Sequence, residues 1–158
     1  MFKIKPIKQS KPGFCGPASL KTVLDFYDLK YSESFLGKIL KTTKEKGTNE
    51  KGFRKGLKKL RLKFLIKSNS SPKILKNFLG KKIPIIVDWF SEDDGHYSVV
   101  VGLNKNFIFL ADPEIGKIRK IDLKTFKRIW FDFPENKIKM PKDLILRWLL
   151  AVFPPKIK

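Results

Sequence analysis

The sequence predicts an α+β domain in which N-terminal helices pack on a C-terminal antiparallel sheet. Up to Gly80 the apolar residues recur at helical spacing between capping and turn residues. Beyond Gly80, short runs rich in Val, Ile and aromatic residues alternate with polar turns, the pattern of neighbouring strands. At 158 residues and 42% hydrophobic content, the chain is large enough to bury one real core, so residues 1–158 read as a single domain.

The elements follow in order. Pro12-Gly13 forms a loop, after which Leu20, Val23, Leu24 and Tyr27 fall on one helical face, in a helix that opens at Cys15 and ends near Asp28. Pro17 suits its first turn, where a missing N–H has no partner to lose. Ser32 caps a short helix over Glu33 to Leu40, and Gly47-Thr48-Asn49 turns into another over Glu50 to Leu60. Arg61 to Lys67 alternates as a first strand. Ser71-Pro72 starts a helix through Leu79, with Gly80 as its stop. Strands are expected over Pro84 to Phe90, His96 to Leu103, Phe107 to Ala111 and Lys117 to Ile121, with hairpin turns at Asn104-Lys105-Asn106 and Glu114-Ile115-Gly116. A small helix over Leu123 to Ile129 precedes Trp130 to Phe133, and Arg147 to Phe153 closes the sheet as its last strand.

Composition narrows the function. The formal net charge is +20, but all except five of the 35 basic residues are lysine, spread from Lys3 to Lys158. Base and phosphate readers favour the arginine fork, so the charge reads as a solvated lysine surface with weak adhesion to anionic surfaces, and no specific nucleic-acid partner is expected. A single cysteine excludes an internal disulfide framework and fits a reducing compartment. Met1 to Gln9 lacks the apolar core of a secretory signal, and Trp148 to Phe153 is far too short to span a bilayer, so a cytoplasmic location without a transmembrane segment is expected.

The chemistry concentrates on a few polar side chains. The only cysteine, Cys15, begins a helix in the stretch Gln9-Ser10-Lys11-Pro12-Gly13-Phe14-Cys15-Gly16-Pro17-Ala18-Ser19-Leu20. A helix N-terminus favours the thiolate and offers the Cys15 backbone N–H to a developing oxyanion. Gln9, on the preceding loop, is a neutral amide that can supply the second donor without titrating. The only histidine, His96, precedes the apolar run Tyr97 to Gly102 after an acidic turn, and Asp112-Pro113 ends the neighbouring strand of a hairpin. Those two ends lie side by side, which lets Asp112 orient the imidazole; Asp88, Asp93 and Asp94 are rivals for that task. Taken singly, each residue has an ordinary role: a small buried hydrophobe, a surface histidine, a turn cap. Together they form the set required by a cysteine nucleophile, a general base and an orienting acid. No cofactor is expected and no metal, because one Cys and one His leave most ligand positions to carboxylates. Neither a GxxxxGK[ST] phosphate loop nor a G-x-S-x-G elbow occurs.

From Gln9 to about Phe153 the sequence resembles the papain-like cysteine peptidases that process double-glycine leader peptides of bacteriocins, usually as N-terminal domains of ABC exporters (peptidase family C thirty-nine). The matching parts are Gln9 before Cys15-Gly16-Pro17-Ala18-Ser19-Leu20, Gly95-His96-Tyr97 leading Val99-Val100-Val101-Gly102, and Asp112-Pro113. The resemblance implies a papain-like topology, a peptide or protein substrate, Cys15 as nucleophile, His96 as general base and then acid, Asp112 as orienter and Gln9 as oxyanion donor. Exporter versions continue into membrane and ATPase domains where this chain stops, so a stand-alone domain is expected. The alternatives are a non-hydrolytic peptide-binding module with the same cleft, acyl transfer to an amine in place of water, and a lysine-rich binder of nucleic acid or anionic surfaces through Lys51 to Lys67.

Overall fold

A computed structural model describes residues 1–135 and 137–156. Three helices come first: α1 (Cys15–Phe26), α2 (Glu33–Ile39) and α3 (Glu50–Lys59). Ser32 and Asn49 cap α2 and α3 by accepting from the N–H groups of Phe35 and Gly52, whereas Phe14, just before α1, supplies no side-chain cap. Strand β1 (Phe64–Lys67) is shorter than expected, because Arg61 takes a left-handed φ of 56° and the Leu62 N–H turns back to Leu57 O to finish α3. Helix α4 (Pro72–Gly80) includes the glycine expected to stop it; the reversal falls on Lys82, with φ 57°.

The sheet follows as β2 (Ile85–Ser91), β3 (Asp94–Leu103), β4 (Phe107–Asp112) and β5 (Lys117–Asp122). The β2–β3 turn is tighter than the sequence suggests. Ser91 pairs with Asp94, so only Glu92 and Asp93 lie between the strands, and β3 begins two residues before His96. Helix α5 (Leu123–Ile129) is capped by Asp122. The expected strand over Trp130 to Phe133 shrinks to β6 (Phe131–Asp132), which pairs with β7 (Ile145–Leu146) outside the main sheet.

The last strand, β8 (Leu149–Val152), does not add to an edge. It inserts between β1 and β2, giving the order β1-β8-β2-β3-β4-β5 with every pairing antiparallel. All four of its residues are buried, which is why Leu149 to Val152 reads as a continuous apolar run instead of an alternating one.

Helices cover both faces of the sheet. On one face, Leu20, Val23 and Leu24 of α1, with apolar residues of α2 and α3, pack on Ile86, Tyr97, Val99, Val101, Leu150 and Val152. On the other, Leu75 of α4 and Phe126 of α5 pack on Ile85, Val87, Trp89, Val100 and Leu110. The alternation along β2 follows directly: Ile85, Val87 and Trp89 face α4 and α5, while Ile86 and Asp88 face α1. Polar bonds fix the first helical layer to the sheet. Tyr97 Oη donates to Thr48 O at 2.9 Å, Ser19 Oγ to Tyr97 O at 3.2 Å, Trp148 Nε1 to Glu50 Oε1 at 2.9 Å and Tyr27 Oη to Val152 O at 2.8 Å. No helix among the described residues is long and apolar enough to cross a membrane.

Phe53 is fully buried, with its ring centroid 5.1 Å from that of Tyr97 and 5.8 Å from that of Trp148, so it ties α3 to the sheet. Phe53→Ala is expected to lower the unfolding free energy by about 3–5 kcal/mol, read as a reduced midpoint in urea unfolding.

Candidate functional site

Three elements converge on the thiol. Cys15 is the first residue of α1 and is half-buried. The loop before it passes very close to a neighbouring segment: Gly13 has φ 81°, and a Cβ there would sit 2.6 Å from Lys44 O. With no side-chain cap and no acidic residue in the first turn, the N–H groups of Cys15 and Gly16 remain available to an incoming oxygen.

His96 is near the start of β3 and only 7% exposed. Its Nε2 lies 2.6 Å from Asp112 Oδ1, which leaves Nδ1 as the nitrogen free to serve Cys15. The β3–β4 hairpin brings the pair together, since Val99 pairs with Ala111 and the strands run antiparallel to their open end. The expected rivals fall elsewhere. Asp88 pairs in register with Tyr97 and so faces α1, whereas Trp89 is the residue opposite His96. Asp94 caps the Gly95 N–H, and Asp93 is an exposed turn residue.

Asp112 is completely buried and fully used. Its Oδ1 also accepts the Glu114 N–H at 2.9 Å, and its Oδ2 lies 2.6 Å from Arg119 Nε. Burial opposes its ionisation, yet the His96 bond and charge, the Glu114 N–H and Arg119 hold it below the usual carboxylate range. Burial likewise opposes a charged His96, but the Asp112 hydrogen bond and the neighbouring Cys15 override it and push the imidazole up to about 10. Trp89 supports the ring edge-on, with centroids 5.6 Å apart, and the Arg119 guanidinium lies 5.8 Å from the Trp89 centroid. Arg119 was not legible as a site residue: its one signal is being an arginine among lysines on β5, beside the strand that Asp112 ends.

Gln9 is drawn to the same region by its backbone, whose N–H donates to Pro113 O at 2.8 Å. Its Nε2 gives one hydrogen to Lys11 O at 3.0 Å, and its Oε1 is buried without a partner. One Nε2 hydrogen is therefore uncommitted. His96, Asp112 and Glu114 bring donor atoms within 4.8 Å of one another. Both Asp112 oxygens are already taken by His96, Glu114 N–H and Arg119, so this cluster is an ion-pair network and does not need a metal ion to balance it.

Residues 3–133 match the profile of the Peptidase C39 family. Over 92% of its length the chain is 26% identical to the SPbeta prophage-derived sublancin-168-processing and transport ATP-binding protein SunT of Bacillus subtilis, and it spans 23% of that relative. Among solved structures, it superposes with a TM-score of 0.68 on the peptidase domain of Streptococcus ComA, a bi-functional ABC transporter of a quorum sensing pathway, at 27% identity, covering 94% of this chain and 98% of that one. A double glycine motif protease from an AMS/PCAT transporter, in complex with its leader peptide, shares the fold at TM-score 0.70 and 21% identity, with 96% of this chain and 93% of that chain covered. The chain belongs to the Peptidase C39 family, a family of cysteine peptidases.

Proposed function

We propose that Cys15 hydrolyses a peptide bond with His96, Asp112 and Gln9 as its partners, and that the substrate is a peptide bearing a leader segment removed after a double glycine. The observation carrying this reading is the buried His96–Asp112 contact of 2.6 Å, with Cys15 favouring the charged form of the same ring from a helix N-terminus. The transporter protease complexed with a leader peptide supports the substrate class.

Cys15 Sγ attacks the scissile carbonyl carbon, and the carbonyl π electrons move onto oxygen. The Cys15 N–H and the uncommitted Gln9 Nε2 hydrogen receive that oxyanion. His96 gives its proton to the departing amine as the C–N bond breaks, leaving a thioester on Cys15. Water then loses a proton to His96 and adds to the thioester carbon, and expulsion of the sulfur releases the carboxylate product and restores the starting pair. Asp112 keeps Nε2 engaged throughout, so Nδ1 is the nitrogen that moves protons. Arg119 and the Glu114 N–H hold the Asp112 carboxylate still, which makes Arg119 a positioning residue.

Cys15→Ala is expected to abolish cleavage of a double-glycine leader peptide, a loss on the order of a thousandfold or more, measured by mass spectrometry of the products. Labelling of the wild-type thiol by a small electrophile should slow markedly in His96→Ala; equal rates in the two proteins would remove the case for activation and leave a peptide-binding cleft without turnover.

The lone imidazole gives a second test. In the folded chain His96 titrates above its ordinary 6.5, so the stability it adds is complete below about pH 6.5 and fades as pH rises toward about 10. An NMR titration should find the wild-type ring near the upper value, with Asp112→Asn moving it back toward 6.5 and shrinking the loss of urea stability across that pH window. An unchanged titration in Asp112→Asn would break the proposed relay.

A further inference from the structure

Acidic side chains are scarce and unevenly spread in this chain. There are 15 of them against 35 basic residues, yet residues 83–104 contain no lysine or arginine and hold Asp88, Glu92, Asp93 and Asp94. That stretch forms β2, its turn and β3, so these carboxylates gather at the end of the sheet that carries His96. Asp132 of β6 joins them. It lies against Gly95, one residue before His96, where a Cβ would overlap both of its carboxylate oxygens; glycine is what lets it approach. Among the described residues, none of these five acids forms an ion pair, despite the excess of lysine.

Asp88 is the least ordinary of them. It occupies a position on β2 that faces α1, is only 2% exposed, and has a buried Oδ1 without a hydrogen-bond partner. A buried oxygen of this kind is costly unless something else engages it. Apart from burial, the leading influences on it are the carboxyl of Asp132, with which it shares a hydrogen bond, then Cys15 and Asp94, all of them acidic groups. Burial foremost, then Asp132, pushes Asp88 well above the usual carboxylate range, and burial raises Asp132 as well. A positive group seated on the pair would satisfy the free oxygen and let both carboxyls ionise. Two carboxyls supply too few ligands to hold a metal ion on their own, so a side-chain cation suits the pair better.

We propose that Asp88 and Asp132 form a subsite beside Cys15 that takes a lysine or arginine side chain of the bound peptide. Asp132, half-buried, is its mouth and Asp88 its floor. The proposal rests on the peptidase reading of Cys15 and adds a cationic residue near the cleaved bond to the substrate's description. Because the protein carries +20 overall, it repels cationic peptides in general, and the preference must be confined to one position.

The test uses short peptides built around a Gly-Gly pair, each with Lys, Arg, Gln or norleucine fixed at one position. Cleavage is read with the wild-type chain and equilibrium binding with Cys15→Ala. At one position Lys and Arg should outperform Gln by roughly tenfold in kcat/KM and in Kd, while lysine elsewhere brings no gain. Asp132→Asn and Asp88→Asn should each bring that ratio close to one; Asp132, being partly exposed, provides the reading if Asp88→Asn does not fold. No favoured position, or a preference surviving both substitutions, overturns the subsite. If the wild-type cleaves nothing while Cys15→Ala still shows the positional Lys preference lost in Asp132→Asn, the subsite stands and the peptidase reading falls.

Discussion

The site depends on how the helical layer seats against β3, and Tyr97 is where that seating is decided. Its hydroxyl reaches Thr48 in the loop before α3, its carbonyl accepts Ser19 of α1, and its ring packs between Phe53 and Trp148. His96 is its immediate neighbour in the chain. Fixing Tyr97 to the helices therefore fixes the imidazole relative to the start of α1, and the thiol and ring meet because two layers are bolted together one residue away. Gly16 contributes by having no side chain: a Cβ there would collide with Thr48.

The electrostatics follow from that burial. A histidine so little exposed would ordinarily resist charging, and a fully buried aspartate would resist losing its proton. Each lifts the other's penalty, and Arg119 supplies the remaining positive charge from β5. The pair is worth retaining because removing either partner would strand the other in a dry environment. The same face of the sheet as Tyr97 also carries Asp88, whose relation to its surroundings is the reverse: carboxyl against carboxyl, with no ion pair among the described residues.

Much of this was legible locally. Ser32, Asn49 and Pro72 marked helix starts that the structure keeps, and the turn at Asn104 to Asn106 exposed the hairpin that sets His96 beside Asp112. What could not be read was non-local. Nothing in Leu149 to Val152 says that it inserts between the first two strands, because strand order is set by distant partners and not by its own pattern. The role of Arg119 required the β4–β5 register, and the orientation of Asp88 required knowing that Trp89 faces His96. The sequence pointed to helices against a sheet without indicating that α4 and α5 would cover its reverse side.

The central position of β8 has a consequence for biogenesis. Strands β1 and β2 are joined only through residues 149–152, so the six-stranded sheet stays split until that segment, far downstream of both, has inserted between them. Helix α1, made earlier, packs on Leu150 and Val152 and so meets its complete partner surface only once that segment has threaded into place.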